Sequence, residues 1–267
     1  MIEGMQDIDP RPLAIIKVGE TFEPLRERRG DFEHWIAAGL GDTTLPIVVL
    51  DPRRGDTLPD ASAISGAIVT GSHAMVSHRE PWSQRTGAWL ATLVEHGTPV
   101  LGICFGHQLL ADALGGEAGD HPVGMEIGTV QVALTPEAAD DSLAGALPPR
   151  FDAHVVHRQS ALRLPANAVR LAGNDFEPTQ AFRIGETAWG VQFHPEFDDD
   201  IMRGYLEHLA EPLRAGGADP AALGARVRPT AAAAGLLARF ARIAEAHAAR
   251  PEAARLHAAA STCAKVY

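Results

Sequence analysis

Short apolar runs separated by amphipathic helical segments set the rhythm of this chain. Leu13-Ala14-Ile15-Ile16-Lys17-Val18, Ile47-Val48-Val49-Leu50, Gly66-Ala67-Ile68-Val69-Thr70 and Thr98-Pro99-Val100-Leu101 are nearly continuous apolar stretches bounded by turn residues. That pattern belongs to strands buried on both faces of a parallel sheet. Between them, Phe32, Trp35, Ile36 and Leu40 recur at helical spacing behind Asp31, an N-cap residue. Pro81-Trp82 opens a further helix that aligns Trp89, Leu90, Leu93 and Val94. Strand and helix in alternation predict an α/β fold, an open, mostly parallel sheet flanked by helices. The stretches Val123 to Val130 and Phe151 to Gln159 predict an antiparallel extension. Ile201, Tyr205, Leu206 and Leu209 share one face of a helix that begins near Asp198, and from Glu211 the composition shifts to alanine. Ala231 through Ala249 has strong helical propensity, with Leu236, Leu237, Phe240 and Ile243 as a narrow apolar stripe. The chain divides into an N-terminal extension (1–12), a main domain (13–210) and an Ala-rich helical C-terminal segment (211–267). That segment packs across the domain, makes a dimer contact or covers the site.

Chemistry concentrates where the fourth apolar run ends. Gly102-Ile103-Cys104-Phe105-Gly106-His107-Gln108 joins that strand to a helical pattern, Leu109 to Leu114, closed by Gly115-Gly116. Strand, sharp turn and helix with a nucleophile between glycines form a nucleophile elbow, here G-x-C-x-G. Side chains two residues to either side of the cysteine would collide across so tight a turn. A cysteine at a helix N-terminus meets the positive end of the dipole, which favours the thiolate. Taken alone, the same cysteine also fits a buried structural thiol. A second stretch, Trp189-Gly190-Val191-Gln192-Phe193-His194-Pro195-Glu196-Phe197, ends a short strand with a histidine and a carboxylate two residues apart, leaving on the same side. His194 is suited to take the thiol proton and return it to a leaving amine, with Glu196 fixing the imidazole. A surface strand end or half of a metal site are the bland alternatives, and neither accounts for Pro195 or for the elbow.

Together, G-I-C-F-G-H-Q and G-V-Q-F-H-P-E resemble the class I (triad) glutamine amidotransferases, the group containing the glutaminase part of GMP synthetase, and related γ-glutamyl peptidases. The resemblance runs from about Leu13 to about Leu209 and implies a flavodoxin-like sheet. It implies Cys104 as nucleophile, His194 as base and Glu196 as orienting carboxylate, with Gln108 helping to hold the substrate. The N–H groups of Gly71 and Phe105 would form the oxyanion hole. Phe151 to Gln159 matches a family stretch written S-H-x-D, but Val156 replaces the serine and Gln159 the aspartate. The backbone of Arg158 and Gln159 would hold the substrate α-carboxylate. Met125 stands where an arginine or tryptophan is common, and Glu126 is set either to meet the substrate ammonium or to serve the turn and strand.

Composition narrows the partners. A net charge of −11 and a pI near 5.5 argue against nucleic acid or an anionic membrane. The opening residues lack the basic and apolar regions of a signal peptide, and no apolar run approaches the roughly 18 residues of a membrane span. Two cysteines give no disulfide framework, which suits a reducing cytoplasm. Cys263 carries no flanking motif. His154 and His157, three apart on a strand, point to opposite faces, and with no CxxC or HExxH no metal site is expected. Thr21, at the carboxyl edge of the sheet, reads as a turn residue or as a residue lining the site, and His73 and His78 as solvated loop histidines. No cofactor is implied. No P-loop or pyrophosphate-binding glycine loop is present, so amidation of an acceptor would need a separate ATP-dependent synthetase. Three readings follow: a glutaminase acting on L-glutamine for such a synthetase, a self-sufficient γ-glutamyl hydrolase acting on other γ-glutamyl amides, and a non-catalytic binding protein on the same fold. Oligomeric state has no signal in the sequence.

Overall fold

Alternation along each strand assigns its side chains to two separate cores. The computed structural model describes residues 11–250; Cys263 and the rest of the tail lie outside them, as does most of the 1–12 extension. Numbered along the chain, a nine-stranded sheet runs β2 (Ile47–Leu50), β1 (Leu13–Ile16), β3 (Gly66–Val69), β4 (Val100–Ile103), β11 (Ala188–Val191), β10 (Ala181–Ile184), β9 (Ala168–Gly173), β6 (Glu126–Leu134), β7 (Arg150–His157). The first five are mutually parallel and the rest antiparallel, as the sequence pattern predicts. A separate antiparallel pair, β5 (Glu117–Asp120) with β8 (Gln159–Arg163), lies beside it.

On one face Leu13, Ile15, Ile68, Leu101 and Trp189 pack with Ile36 of α2 (Phe32–Gly39) and with Leu236, Leu237 and Phe240 of α8 (Ala231–Ala248). On the other, Ala14, Ile16, Val69 and Val100 meet Leu90 and Leu93 of α3 (Pro81–Glu95) and Leu109 and Leu110 of α4 (Phe105–Ala113). Burying a leucine or isoleucine contributes about 1.5–3 kcal/mol, so sheet and helices stabilise one another from both sides. A third cluster joins Leu25 of α1 (Glu23–Arg29), Phe32 and Trp35 to Ile201, Tyr205 and Leu206 of α5 (Asp199–His208). Two short helices, α6 (Ala210–Ala215) and α7 (Pro220–Ala225), lead from α5 to α8.

The alanine-rich tail packs across the domain. Phe240 sets its ring 6.3 Å from that of Trp189, and Glu245 Oε1 accepts from Thr43 Oγ1 at 2.8 Å and from the Thr44 N–H at 2.9 Å. One expectation needs correction. β2 is apolar throughout, yet Ile47 and Val49 are 40% and 45% exposed, because only the alternate residues Val48 and Leu50 of this edge strand pack against a core. Among the described residues no helix is long and apolar enough to cross a membrane.

Candidate active site

The elbow is built where β4 gives way to α4. Cys104 takes φ 50° and ψ −97°, a sparsely populated region that costs on the order of 1–3 kcal/mol for a side-chain-bearing residue. Its N–H donates to Val191 O at 2.8 Å, and α4 begins immediately after it. The flanking glycines are needed sterically. A Cβ on Gly102 would lie 2.4 Å from Gly106 O, and one on Gly106 would lie 2.7 Å from Val69 O. Sγ is 3.6 Å from Val156 O.

β11 runs parallel beside β4, pairing Gly190 with Gly102 and Val191 with Ile103. The chain leaving β11 therefore emerges next to the elbow. The His194 N–H donates to His154 O at 2.8 Å, its Nδ1 lies 2.8 Å from Glu196 Oε1, and its ring stacks on Phe197 at 4.1 Å. Burial opposes a charge on His194, but its interaction with the Glu196 carboxylate and with Cys104 outweighs that cost, and its pKa is pushed up to about 10. Glu196 Oε2 is buried without a partner. A Cβ on Gly71 would stand 2.9 Å from His194 Cε1, so glycine lets the loop after β3 approach the ring. Phe105 opens α4, where a backbone N–H has no intrahelical acceptor.

Beside this constellation opens a cleft of about 490 Å³. Gln108, Arg158 and Gln159 all line it, with Cys104 and Phe105. Gln108 Nε2 donates to Gln159 O at 2.8 Å and to Gln192 Oε1 at 3.1 Å, tying α4 to β8. Gln159 is buried and donates from Nε2 to Ser77 Oγ and, at 3.0 Å, to Asp120 Oδ1. Glu126 belongs to the strand framework. It accepts from Asn174 Nδ2 at 2.8 Å and Gln180 Nε2 at 2.8 Å and pairs with His157 Nε2 at 2.9 Å, so its oxygens are occupied away from the cleft. The carboxylate that lines the cleft is that of Asp120.

Two turn residues are more organised than their sequence neighbourhoods suggest. Thr21 is buried and donates to Tyr205 Oη at 3.1 Å. His73 is exposed, as a loop histidine is expected to be, but it is not loose: its Nε2 lies 3.3 Å from Tyr205 Oη and its ring stacks on Phe22 at 4.4 Å. The cluster of Phe22, His73, Tyr205 and His208 has no sequence motif that would have announced it.

His154 and His157 have separate partners, Thr129 Oγ1 at 3.1 Å and Glu126, and among the described residues no group of side chains is arranged to hold a metal ion. The buried histidines give stability a pH signature. Burial holds His107 down to about 3, and burial with the His194 charge holds His154 to about 4. Below the ordinary value of 6.5 the unfolded chain takes up protons at these two positions that the native chain refuses, so stability falls with acidification. His194 acts in the opposite direction: its contribution is fully present below 6.5 and is lost as pH rises through about 10. Thermal unfolding should give its highest Tm near neutrality, with a loss of about 5 °C or more at pH 4.5. A Tm that holds constant from pH 4.5 to 7 would contradict the assignment.

Residues 29–206 match the family description of class I glutamine amidotransferases. The chain belongs to that family. A GMP synthase [glutamine-hydrolyzing] from Aeropyrum pernix is 35% identical over 193 residues, which are 68% of this chain and 35% of that protein. A γ-glutamyl-L-1-hydroxyisopropylamide hydrolase from a Pseudomonas species is 31% identical over 170 residues, 61% of this chain and 57% of that protein. The chain thus spans less than two thirds of the length of either relative. The crystal structure of a glutamine amidotransferase from Methylobacillus flagellatus shares the fold with a TM-score of 0.64 and 26% identity, over 93% of this chain and 95% of that one. The match to the amidotransferase family ends within α5, so α8 completes the core from outside the matched residues.

Proposed function

We propose that this amidotransferase-family chain hydrolyses the γ-amide bond of glutamine or of a γ-glutamyl amide through a thioester on Cys104. The observation that carries the reading is the strained Cys104 at the start of α4, set beside a His194 whose Nδ1 is held by Glu196 and whose charge Glu196 and Cys104 favour. Sγ attacks the γ-carbonyl carbon, and the oxyanion forms against the N–H groups of Gly71 and Phe105. The C–N bond breaks, His194 hands a proton to the departing nitrogen, and ammonia or amine leaves. Water, deprotonated by His194, then attacks the thioester; glutamate leaves and the thiol is restored. Gln108 and the backbone of Arg158 and Gln159 form the end of the cleft suited to the substrate's α-carboxylate. Asp120 is the carboxylate suited to its ammonium, in place of the sequestered Glu126.

Two destinations for the released nitrogen are supported by different observations. The Aeropyrum GMP synthase extends well beyond the matched region, which supports ammonia delivery to a separate ATP-dependent synthetase. The replacement of a serine and an aspartate by Val156 and Gln159, and the likeness to the Pseudomonas hydrolase, support self-sufficient cleavage of γ-glutamyl amides. Glutamate release by the purified chain from L-glutamine and from γ-glutamyl-methylamide tests both readings. Turnover of either supports the chemistry, and Asp120→Asn should raise KM several-fold with kcat little changed. No release from either, with and without a synthetase partner, would overturn the hydrolase reading.

A further inference from the structure

Resting on that hydrolase reading, we propose that the cleft has a leaving-amine subsite built on the His73 ring, and that its preferred substrates are γ-glutamyl amides of aromatic or flat apolar amines. The cleft has two chemically distinct ends. One carries Gln108, Gln159 and Asp120, linked by hydrogen bonds through Gln159. The other carries Phe22, His73, Tyr205 and Leu209. His194 identifies which end receives the leaving group, because the amine must depart past the acid that protonates it. The aromatic end lies on that side: Phe32 places its ring 6.2 Å from His194 and 6.4 Å from His73, and His73 follows Gly71, which abuts His194.

The His73 ring is held as a platform. Phe22 stacks between His73 at 4.4 Å and His208 at 3.7 Å, with interplanar angles of 27° and 18°. Thr21 donates to Tyr205 Oη, which leaves that hydroxyl to donate to His73 Nε2 and fixes the ring as an acceptor there. Partial desolvation, together with His194 and His208 nearby, lowers the pKa of His73, which favours the neutral ring. A neutral, exposed ring backed by two more is a stacking surface with no further work inside the protein. Ammonia, about the size of a water whose share of liquid volume is about 30 Å³, would leave that surface unused. The balance of the reaction is unchanged. The C–N bond to the amine breaks, the amine nitrogen takes the proton from His194, and water supplies the oxygen of glutamate.

The test compares kcat/KM, by glutamate release, for γ-glutamyl-benzylamide, γ-glutamyl-methylamide and L-glutamine. The benzylamide should exceed the methylamide by about tenfold or more. His73→Ala should reduce that ratio by about tenfold and His73→Phe should restore it, since a flat ring suffices without a titrating nitrogen. Phe22→Leu, which removes the ring behind the platform, should also reduce it. Equal turnover of the benzylamide and methylamide, or failure of His73→Phe to restore the ratio, would overturn the subsite while leaving the hydrolase reading intact. Silence toward all three substrates, with and without a synthetase partner, would overturn both.

Discussion

Replacing Cys104 with alanine should lower γ-amide hydrolysis by about 10⁴-fold or more, because no other side chain at the elbow can form the acyl bond. The protein should still fold. Cys104 is almost fully buried, but the substitution removes one sulfur only, and the backbone hydrogen bond from residue 104 to Val191 is retained. Alanine does not relieve the strain of φ 50° and ψ −97°. Glycine does, so Cys104→Gly should be inactive and more stable than Cys104→Ala by about 1 kcal/mol. Steady-state kinetics with urea unfolding of both variants checks the pair. Residual turnover within tenfold of the native chain would remove the cysteine from the mechanism.

Glu196→Gln should reduce kcat by about 10³- to 10⁴-fold with KM nearly unchanged. The carboxylate is buried with the imidazole it holds at 2.8 Å, and it is the first of the influences that raise His194 against the cost of burial. An amide there is neutral and is free to present its NH₂ to Nδ1, which selects the wrong tautomer and withdraws support for the imidazolium. The histidine should therefore titrate at lower pH in the variant, and the alkaline limb of the pH–rate profile should move down with it. A variant with native kcat, or with an unmoved profile, would show that Glu196 is a structural neighbour only.

The parts of this site that were legible in the sequence are those whose geometry is local. An elbow needs five consecutive residues, and Gly102, Cys104 and Gly106 carry its steric demands within themselves. His194 and Glu196 are two apart on one strand end. The parts that the sequence left open depend on distant partners. Glu126 has the right place in the chain for a substrate contact, but Asn174 and Gln180, about fifty residues on, and His157 claim its oxygens. His73 is unremarkable until Phe22, Tyr205 and His208 gather round it from two other parts of the chain. The apolar strands of the parallel half announced themselves, although the exposure of β2 did not, since an edge is a property of the sheet rather than of the strand. β5, β8 and β9 are short and of mixed polarity, so their sequences carry little periodic signal.

The adjacency of β4 and β11 has a consequence for how the molecule matures. Their pairing closes a loop of more than eighty residues, and contacts of such long range form late because chain entropy is lost before they repay it. Until that closure, Cys104 has no His194 beside it and the backbone bond that helps hold its torsion angles is missing. The juxtaposition of Cys104 and His194 is therefore a late product of folding: in a growing or partly folded chain the proposed nucleophile lacks its proposed base, and the two meet only when β4 and β11 pair.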